Sequence, residues 1–534
     1  MSDIKLLDCT LRDGAYITNS EFGEAAIRGI IGKLSDAGVE IIECGWLKNN
    51  PYKQGTSFFH VPGDLIQYIG KKDSAKTYVV MIDWDRYDLN YLPEFDGRSI
   101  DAIRVVFPYG KHVEGINVAK EIKSKGYRVY LQAANTLAYN DEDLRNLAEA
   151  VNELTPDALS IVDTFGAMYP EDLERITRTV DKYLNRNIAI GFHSHNNQQL
   201  SFALSMEFIK LLEGLDRECV IDASLCGMGR GAGNTTTELV TSYLNKKHNA
   251  HYDLDSIMDA IDTYMEYYKE KYTWGYSTPY FIAGLYCCHV NNIAYLLDNH
   301  RTNAKDMRNI IESLSEGDRK KYDYDLLEEK YLENQKRKVD DSEAIKILSK
   351  TLASKKVLLI APGRTSLDKQ EEINEFIRKE KPMVIGVNSI LEGYEYDYNF
   401  FVNTARYDYA KNAHSEVFNI NKKIVLSNVS AGDDDIVINF NSVIKRGWKY
   451  YDNAMICALR LLEKLDVKQV YISGFDGFKN KYNLSYADEF LPSLNQGNSW
   501  EEINAEVKAM YTDFIKNNKN EMSCVFLTDS IFNK

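Results

Sequence analysis

Apolar, β-branched runs recur along the first half of the chain, each followed by a segment whose apolar positions are spaced three and four apart. The runs predict strands from Ile4 to Thr10, Val39 to Cys44, Thr77 to Ile82 and Ala102 to Phe107. Others follow from Arg128 to Ala133, Ala158 to Asp163, Ile188 to His193 and Val220 to Leu225. Each is mostly apolar on both faces, as a parallel strand covered by helices should be, and segments such as Glu21 to Ala37 and Glu171 to Tyr183 are amphipathic. Eight such repeats over about 240 residues match the size of a closed (β/α)8 TIM barrel, whose chemistry sits at the C-terminal strand ends. An open, doubly wound sheet is the alternative.

From Asp253 to about Asn299 the pattern is helical, and Arg301 to Lys350 is rich in charge. A new α/β pattern opens at Lys356. Strands are predicted from Val357 to Ala361, Val384 to Asn388, Phe400 to Asn403, Ile424 to Ser427, Ile436 to Asn439, Val470 to Gly474 and Val525 to Thr528. Helices are predicted from Lys369 to Lys379, Asp452 to Leu465 and Trp500 to Lys516. The expected organisation is α/β throughout: a barrel at 1–250, a helical extension completing its active site at 251–300, a charged helical linker at 301–354 and a Rossmann-like domain at 355–534.

Composition narrows the partners. With 534 residues, 44% hydrophobic and 27% charged, the chain reads as a soluble multidomain protein, and its net charge of −15 repels nucleic acid and anionic membranes. No stretch approaches eighteen apolar residues and no basic, apolar leader opens the sequence, so a cytoplasmic location is expected. The eight cysteines show neither zinc-site spacing nor the density of a disulfide scaffold.

The barrel pattern gives two sequence features a common location. Asp13 follows the first strand within DCTLRDG, and His193 and His195 stand two apart at the end of the seventh, which points both rings to one side. One carboxylate and two imidazoles make a divalent-metal site with room for a substrate. Taken alone, the Arg12–Asp13 pair reads as a local salt bridge, and a single histidine as a hydrogen-bonded core residue; the joint occurrence points to a metal. A Schiff-base mechanism would need a lysine inside the barrel, and no strand ends in one; Lys5 lies at the opposite end.

DCTLRDG, GFHSHNN at 191–197 and GMGRGAGNTTTE at 227–238 resemble the pyruvate-processing metallo-aldolase and lyase superfamily, which includes 4-hydroxy-2-oxovalerate aldolase, 3-hydroxy-3-methylglutaryl-CoA lyase and the isopropylmalate synthases. The resemblance covers about residues 1–300. It implies Asp13, His193 and His195 as ligands of Mn²⁺ or Mg²⁺, Asn234 as an addition to the metal shell, Glu43 as the superfamily's glutamate, and Arg12 facing a metal-bound 2-oxo acid, where its guanidinium stabilises an enolate oxygen. Thr164 looks like the residue that contacts the pyruvate carboxylate, with a helix cap or turn role as the alternative. Tyr276 and Tyr280 are the candidates for a tyrosine that reaches the site from the helical extension.

Asparagine in GFHSHNN and the GRGAGN turn favour an aldolase, forming or cleaving a 4-hydroxy-2-oxo acid, over an acyl-CoA-dependent condensing enzyme. One departure stands out: the aldolases' proton-accepting histidine is here Tyr16, whose ordinary pKa of about 10 suits a base poorly unless something lowers it. A barrel that has lost its chemistry and serves as a scaffold is the non-catalytic alternative. The partners expected are a 2-oxo acid, an aldehyde and further copies of the chain in a homo-oligomer.

In the second domain, VLLIAPGRTS at 357–366 runs from a strand through a glycine turn into a helix, an arrangement that offers backbone N–H groups to a phosphate, although it lacks GxGxxG spacing. With YISGFDG at 471–477 it loosely resembles bacterial DUF115-like and sialyltransferase-like domains that handle nucleotide-activated sugars. That resemblance implies Gly363, Ser366, Asn388 and Asp476 as the lining of a nucleotide-sugar crevice and a role in cell-surface polysaccharide biosynthesis. A protein-binding or oligomerising module is the alternative.

Overall fold

The computed structural model describes residues 4–300, 302, 304–335, 339–479, 485–492 and 499–533. The chain divides into two compact units, one of Met1–Ala294 with Leu314–Asp323, the other of Tyr295–Ser313 with Tyr324–Lys534.

In the first unit eight parallel strands close on themselves: β1 (Ile4–Asp8), β2 (Ile41–Leu47), β3 (Thr77–Asp83), β4 (Ala102–Phe107), β5 (Arg128–Ala133), β6 (Ala158–Asp163), β7 (Ala189–Ser194) and β8 (Cys219–Ala223). Closure is made by β1, whose Leu7 registers with Ile41 of β2 on one side and Asp222 of β8 on the other. The doubly wound alternative is thereby excluded. Helices cover the outside because their apolar residues recur at helical spacing; Glu24–Asp36 buries Ile27, Ile30, Ile31 and Leu34, and Pro170–Tyr183 buries Leu173, Ile176 and Val180 behind a proline in its first turn.

The inside of the barrel is layered. One residue from each strand, namely Leu7, Ile41, Val79, Ala102, Tyr130, Ala158, Ala189 and Val220, joins a small apolar cluster separate from the main core. Because side chains alternate along a strand, residues two further on share the same interior face. That next layer is polar: Glu43, Arg104, Gln132, Ser160 and Asp222 are all buried there. The apolar layer thus forms a floor, and the chemistry starts directly above it.

The 301–354 stretch, expected as a charged helical linker, contains helices Ala304–Ser313, Glu316–Arg319, Tyr324–Gln335 and Ser342–Leu352. These bury Met307, Ile310, Ile311, Leu327, Tyr331, Leu348 and Leu352, and all but 314–323 belong to the second unit. Charge density suggested a spacer, but the sparse apolar residues lie on single helical faces that find a core.

The second unit contains a seven-stranded parallel sheet built from β9 (Lys356–Ile360), β10 (Met383–Val387), β11 (Tyr398–Phe401), β12 (Lys422–Leu426), β13 (Ile436–Ile438), β14 (Gln469–Ser473) and β15 (Ser523–Phe526). Their order is β13-β12-β11-β10-β9-β14-β15. The winding reverses between β9 and β14, the point at which open parallel sheets leave a crevice beyond their C-terminal ends. Among the described residues no helix is long and apolar enough to cross a membrane.

Candidate metal centre and active site

The turn after β1 is a single helical turn, Thr10–Asp13, anchored on both sides. The Asp8 carboxylate accepts the Thr10 N–H at 2.9 Å, and the Trp46 indole donates to the Arg12 carbonyl at 3.0 Å. This fixes Asp13 over the barrel mouth. His193 lies inside β7 and His195 just beyond it, and ligand atoms of Asp13, His193 and His195 all fall within 4.8 Å of one another. Asp13 Oδ2 is 3.6 Å from His195 Nε2, and the two imidazole planes stand at 89°.

His195 is held from behind: its Nδ1 donates to the Asp163 carbonyl at 3.1 Å, which leaves the Nε2 lone pair for a cation, as outer partners do for metal-binding histidines. His193 Nδ1 lies 3.0 Å from Asp222 Oδ2, an electrostatic contact without hydrogen-bond geometry. Asn234 donates through Nδ2 to Asp13 Oδ2 at 2.5 Å, while its own Oδ1 is buried without a hydrogen-bond partner. A buried orphan oxygen beside a carboxylate and two imidazoles is the donor set a hard or borderline divalent ion requires. Gly229 packs on this group so closely that a Cβ there would lie 2.6 Å from Asp13 Oδ2 and 2.4 Å from Asn234 Nδ2.

Beneath the cluster runs a buried ion network. Arg12 donates from Nη1 to Asp13 Oδ1 and from Nε to Glu43 Oε2, both at 2.8 Å. Arg104, fully buried, donates to the same Glu43 oxygen at 2.8 Å and through Nη2 to Asp222. Two arginines and three carboxylates therefore link the residue behind His193 to the residue beside His195. Burial pushes the Asp13 carboxyl up, but the adjacent Arg12 charge and both histidines outweigh it and hold it well below the ordinary value. Burial acts on Asp222 the same way and loses to Arg104 and His193. His193 is lowered, chiefly by burial, and so stays neutral. The network presents an ionised carboxylate and a neutral imidazole, the protonation states of a ligand set.

Arg104 and Asp222 escaped the sequence reading. Their signal was present: an arginine in the otherwise apolar AIRVVF strand and an aspartate in CVIDA must pair or pay the full cost of burying a charge. Asp163 was missed as well; its carboxylate accepts N–H groups of Ala167 and Met168, and burial raises its pKa to about 6.

The other expected site residues divide. Glu43 stands in the network, touching Arg12 and Arg104. Thr164 accepts the Asn135 N–H at 2.6 Å, a bond that ties the loop after β6 to the loop after β5. Tyr16 keeps 42% of its surface exposed, with the Arg230 guanidinium 3.8 Å above its ring. Desolvation raises its pKa against the pull of Arg230 and Arg12, which disfavours Tyr16 as the base and leaves that role to another group. Tyr276 lines a cavity of about 390 Å³ together with Asn234, Asn196 and Trp274, whereas Tyr280, half-buried in helix Thr278–Leu285, does not line it.

In the second unit a crevice at the winding reversal is lined by Gly363, Asn388, Asp476 and Arg406, among others. Asp476 receives the Thr365 N–H at 2.9 Å and its hydroxyl as well, fixing the turn. Asn388, in the left-handed region at φ 57°, accepts the Val402 N–H. Ser366, expected in the lining, is fully buried 3.2 Å from the Ser473 hydroxyl, because the turn carries it beneath the crevice floor. Arg406 was not foreseen; it is 5% exposed and, among the described residues, donates to the carbonyls of Pro492 and Asn388.

The first unit is a TIM barrel, and an HMGL-like family model matches residues 111–263 of the chain. Among individual proteins, the chain is 26% identical over 265 residues to an oxaloacetate decarboxylase of Mycobacterium tuberculosis, covering 48% of this chain and 74% of the relative. It is 28% identical over 266 residues to a 4-hydroxy-2-oxovalerate aldolase of Geobacillus genomosp. 3, covering 48% and 76%. A crystal structure of the N-terminal domain of a protein described as an aldolase from Bacteroides vulgatus aligns over 54% of this chain and 95% of its own, with 28% identity and a TM-score of 0.47.

Proposed function

We propose that the first unit is a divalent-metal-dependent aldolase that forms or cleaves a 4-hydroxy-2-oxo acid by way of a pyruvate enolate, with Asp13, His193 and His195 holding Mn²⁺ or Mg²⁺ and Asn234 Oδ1 beside them. The observation that carries it is the convergence of these ligand atoms within 4.8 Å with Arg12 bonded directly to Asp13. A bound divalent ion would supply Lewis acidity toward the oxygens of a 2-oxo acid. Arg12 makes no hydrogen bond through Nη2 among the described residues, so those hydrogens are available to an oxygen that gains negative charge when the carbon–carbon bond breaks. Glu43 and Arg104 keep that guanidinium in place. Tyr16, with its raised pKa, retains its proton and acts as a hydrogen-bond donor to the acceptor's oxygen in this reading; it is not the base.

Exchange of the pyruvate methyl protons in D₂O, followed by NMR, tests the reading without needing the aldehyde. Exchange is expected with Mn²⁺ or Mg²⁺ and should vanish with a chelator. Absence of exchange in the metal-loaded protein would favour a scaffold, and turnover of acetyl-CoA with 2-oxo acids in place of pyruvate with aldehydes would favour a condensing enzyme.

For the second unit we propose a nucleotide-linked sugar as ligand, and through it a part in cell-surface polysaccharide biosynthesis. The buried Arg406 lines the crevice at the winding reversal and, among the described residues, bonds to neutral carbonyls and rests over the Tyr486 ring, which supports an anionic group there. Calorimetric titration with UDP-glucose and with CMP tests this, and Arg406→Gln should abolish any binding seen.

A further inference from the structure

Building on the aldolase reading, we infer that Arg230 determines acceptor specificity: the aldehyde taken by this site carries its own anionic group, a carboxylate or a phosphate, which Arg230 holds.

Arg230 lies in the glycine-rich turn after β8, and the residue before it, Gly229, is wedged against Asp13 and Asn234. The position of residue 230 is thus tied to the ligand cluster. Its guanidinium carbon rests 3.8 Å above the Tyr16 ring, and its Nη1 is 3.4 Å from His289 Nε2. Tyr16 itself stands three residues beyond Asp13, edge-on to Trp46, and its exposure places it on the rim that an incoming acceptor must pass.

Both neighbours of Arg230 are neutral. Burial and the Arg230 charge push His289 down to about 3, and Tyr16 keeps its proton. Three other cations at this end of the barrel have a carboxylate: Arg12 has Asp13 and Glu43, Arg104 has Glu43 and Asp222, and Lys48 has Asp83 at 3.2 Å. Arg230 has none within ion-pair distance among the described residues. A half-buried guanidinium with a planar fork of N–H donors and no counter-charge is suited to a carboxylate or phosphate from outside the chain.

In the bond-forming direction, pyruvate C3 gives up a proton to a base and joins the aldehyde carbon. The aldehyde oxygen takes up a proton to become the 4-hydroxyl, no redox change occurs, and the acceptor's anionic group passes through unchanged.

The test compares kcat/KM of the full chain, with Mn²⁺ and pyruvate, for succinic semialdehyde against butanal and for glyceraldehyde 3-phosphate against glyceraldehyde. In at least one pair the anionic member should be preferred by about 10- to 100-fold, and the pair that shows it distinguishes carboxylate from phosphate. Arg230→Gln should collapse that ratio through the KM of the anionic member, and Arg230→Lys should restore part of it, a pattern that a merely structural role would not give. Equal use of charged and neutral aldehydes in both pairs, or a ratio that survives Arg230→Gln, overturns the inference. Pyruvate methyl exchange in the unaltered protein separates the two levels. No exchange overturns the aldolase reading and this inference with it, whereas exchange without a charge preference overturns this inference alone.

Discussion

Replacing Arg104 with methionine tests whether the buried network holds the Asp13–His193–His195 cluster together. The substitution keeps most of the side chain's length and removes its charge. In the structure it deletes the bond to Asp222 and the 2.8 Å bond to Glu43, all at positions with no solvent access. Glu43 retains Arg12, so the uncompensated charge falls on Asp222, whose remaining ion-pair contact among the described residues is His193. Removing one partner of a buried ion pair costs about 3–5 kcal/mol. For a unit of about 300 residues with an unfolding entropy near 2.1 cal/mol/K per residue, that corresponds to a fall of ~5–8 °C in Tm. Because Asp222 stands behind His193, Mn²⁺ affinity should fall about 10- to 100-fold as well. Calorimetric melting and Mn²⁺ titration of Arg104→Met, Asp222→Asn and the double variant give the assay. The double variant should be more stable than Arg104→Met by at least about 1 kcal/mol, since the asparagine carries no charge to strand. If the two melt together, or if Arg104→Met costs less than about 1 kcal/mol, the network does not carry the load assigned to it.

Three further outcomes are expected. Gly229→Ala drives a methyl group against Asp13 and Asn234, so Mn²⁺ affinity measured by titration should drop about tenfold or more while the fold persists. Asp13→Asn should lower metal-dependent pyruvate exchange at least about 100-fold, and NMR in D₂O reads it directly. The buried Asp8 is raised to about 6 from 3.8, chiefly by desolvation that its bonds to Thr10 and Thr237 do not offset. Its folded form therefore holds the proton more tightly than the unfolded chain. The stability it contributes is complete below about pH 4 and is lost as pH rises through about 6. Asp8→Asn should consequently gain up to ~3 kcal/mol relative to the parent between pH 4 and 7, measured by urea unfolding at both ends; an unchanging gap would contradict the assignment.

Local periodicity was enough to find every barrel strand and all seven strands of the second sheet, with ends displaced by a few residues. Alternation and helical spacing are properties of neighbouring residues, and the chain displays them before it folds. The clustering of Asp13, His193 and His195 was legible for a related reason: Asp13 and the His193–His195 pair each sit at a recognisable strand end, and a closed barrel brings strand ends together. Ser366 shows where local reasoning stops. The strand-turn-helix pattern around it is real, but whether a residue in that turn faces the crevice or the floor depends on its contact with Ser473, 107 residues away.

The sequence by itself determined the succession of strands and helices, the apolar floor of the barrel and the identity of the three groups over it, because those follow from side-chain type and spacing along one segment. Tertiary structure alone decided that Arg104 joins Glu43, 61 residues away, to Asp222, 118 residues away, and that Arg230 rests on the face of Tyr16. Those arrangements come from closing the sheet and burying charge. A buried arginine takes whichever carboxylates the closed barrel sets within reach, and no pattern along one strand specifies which these will be.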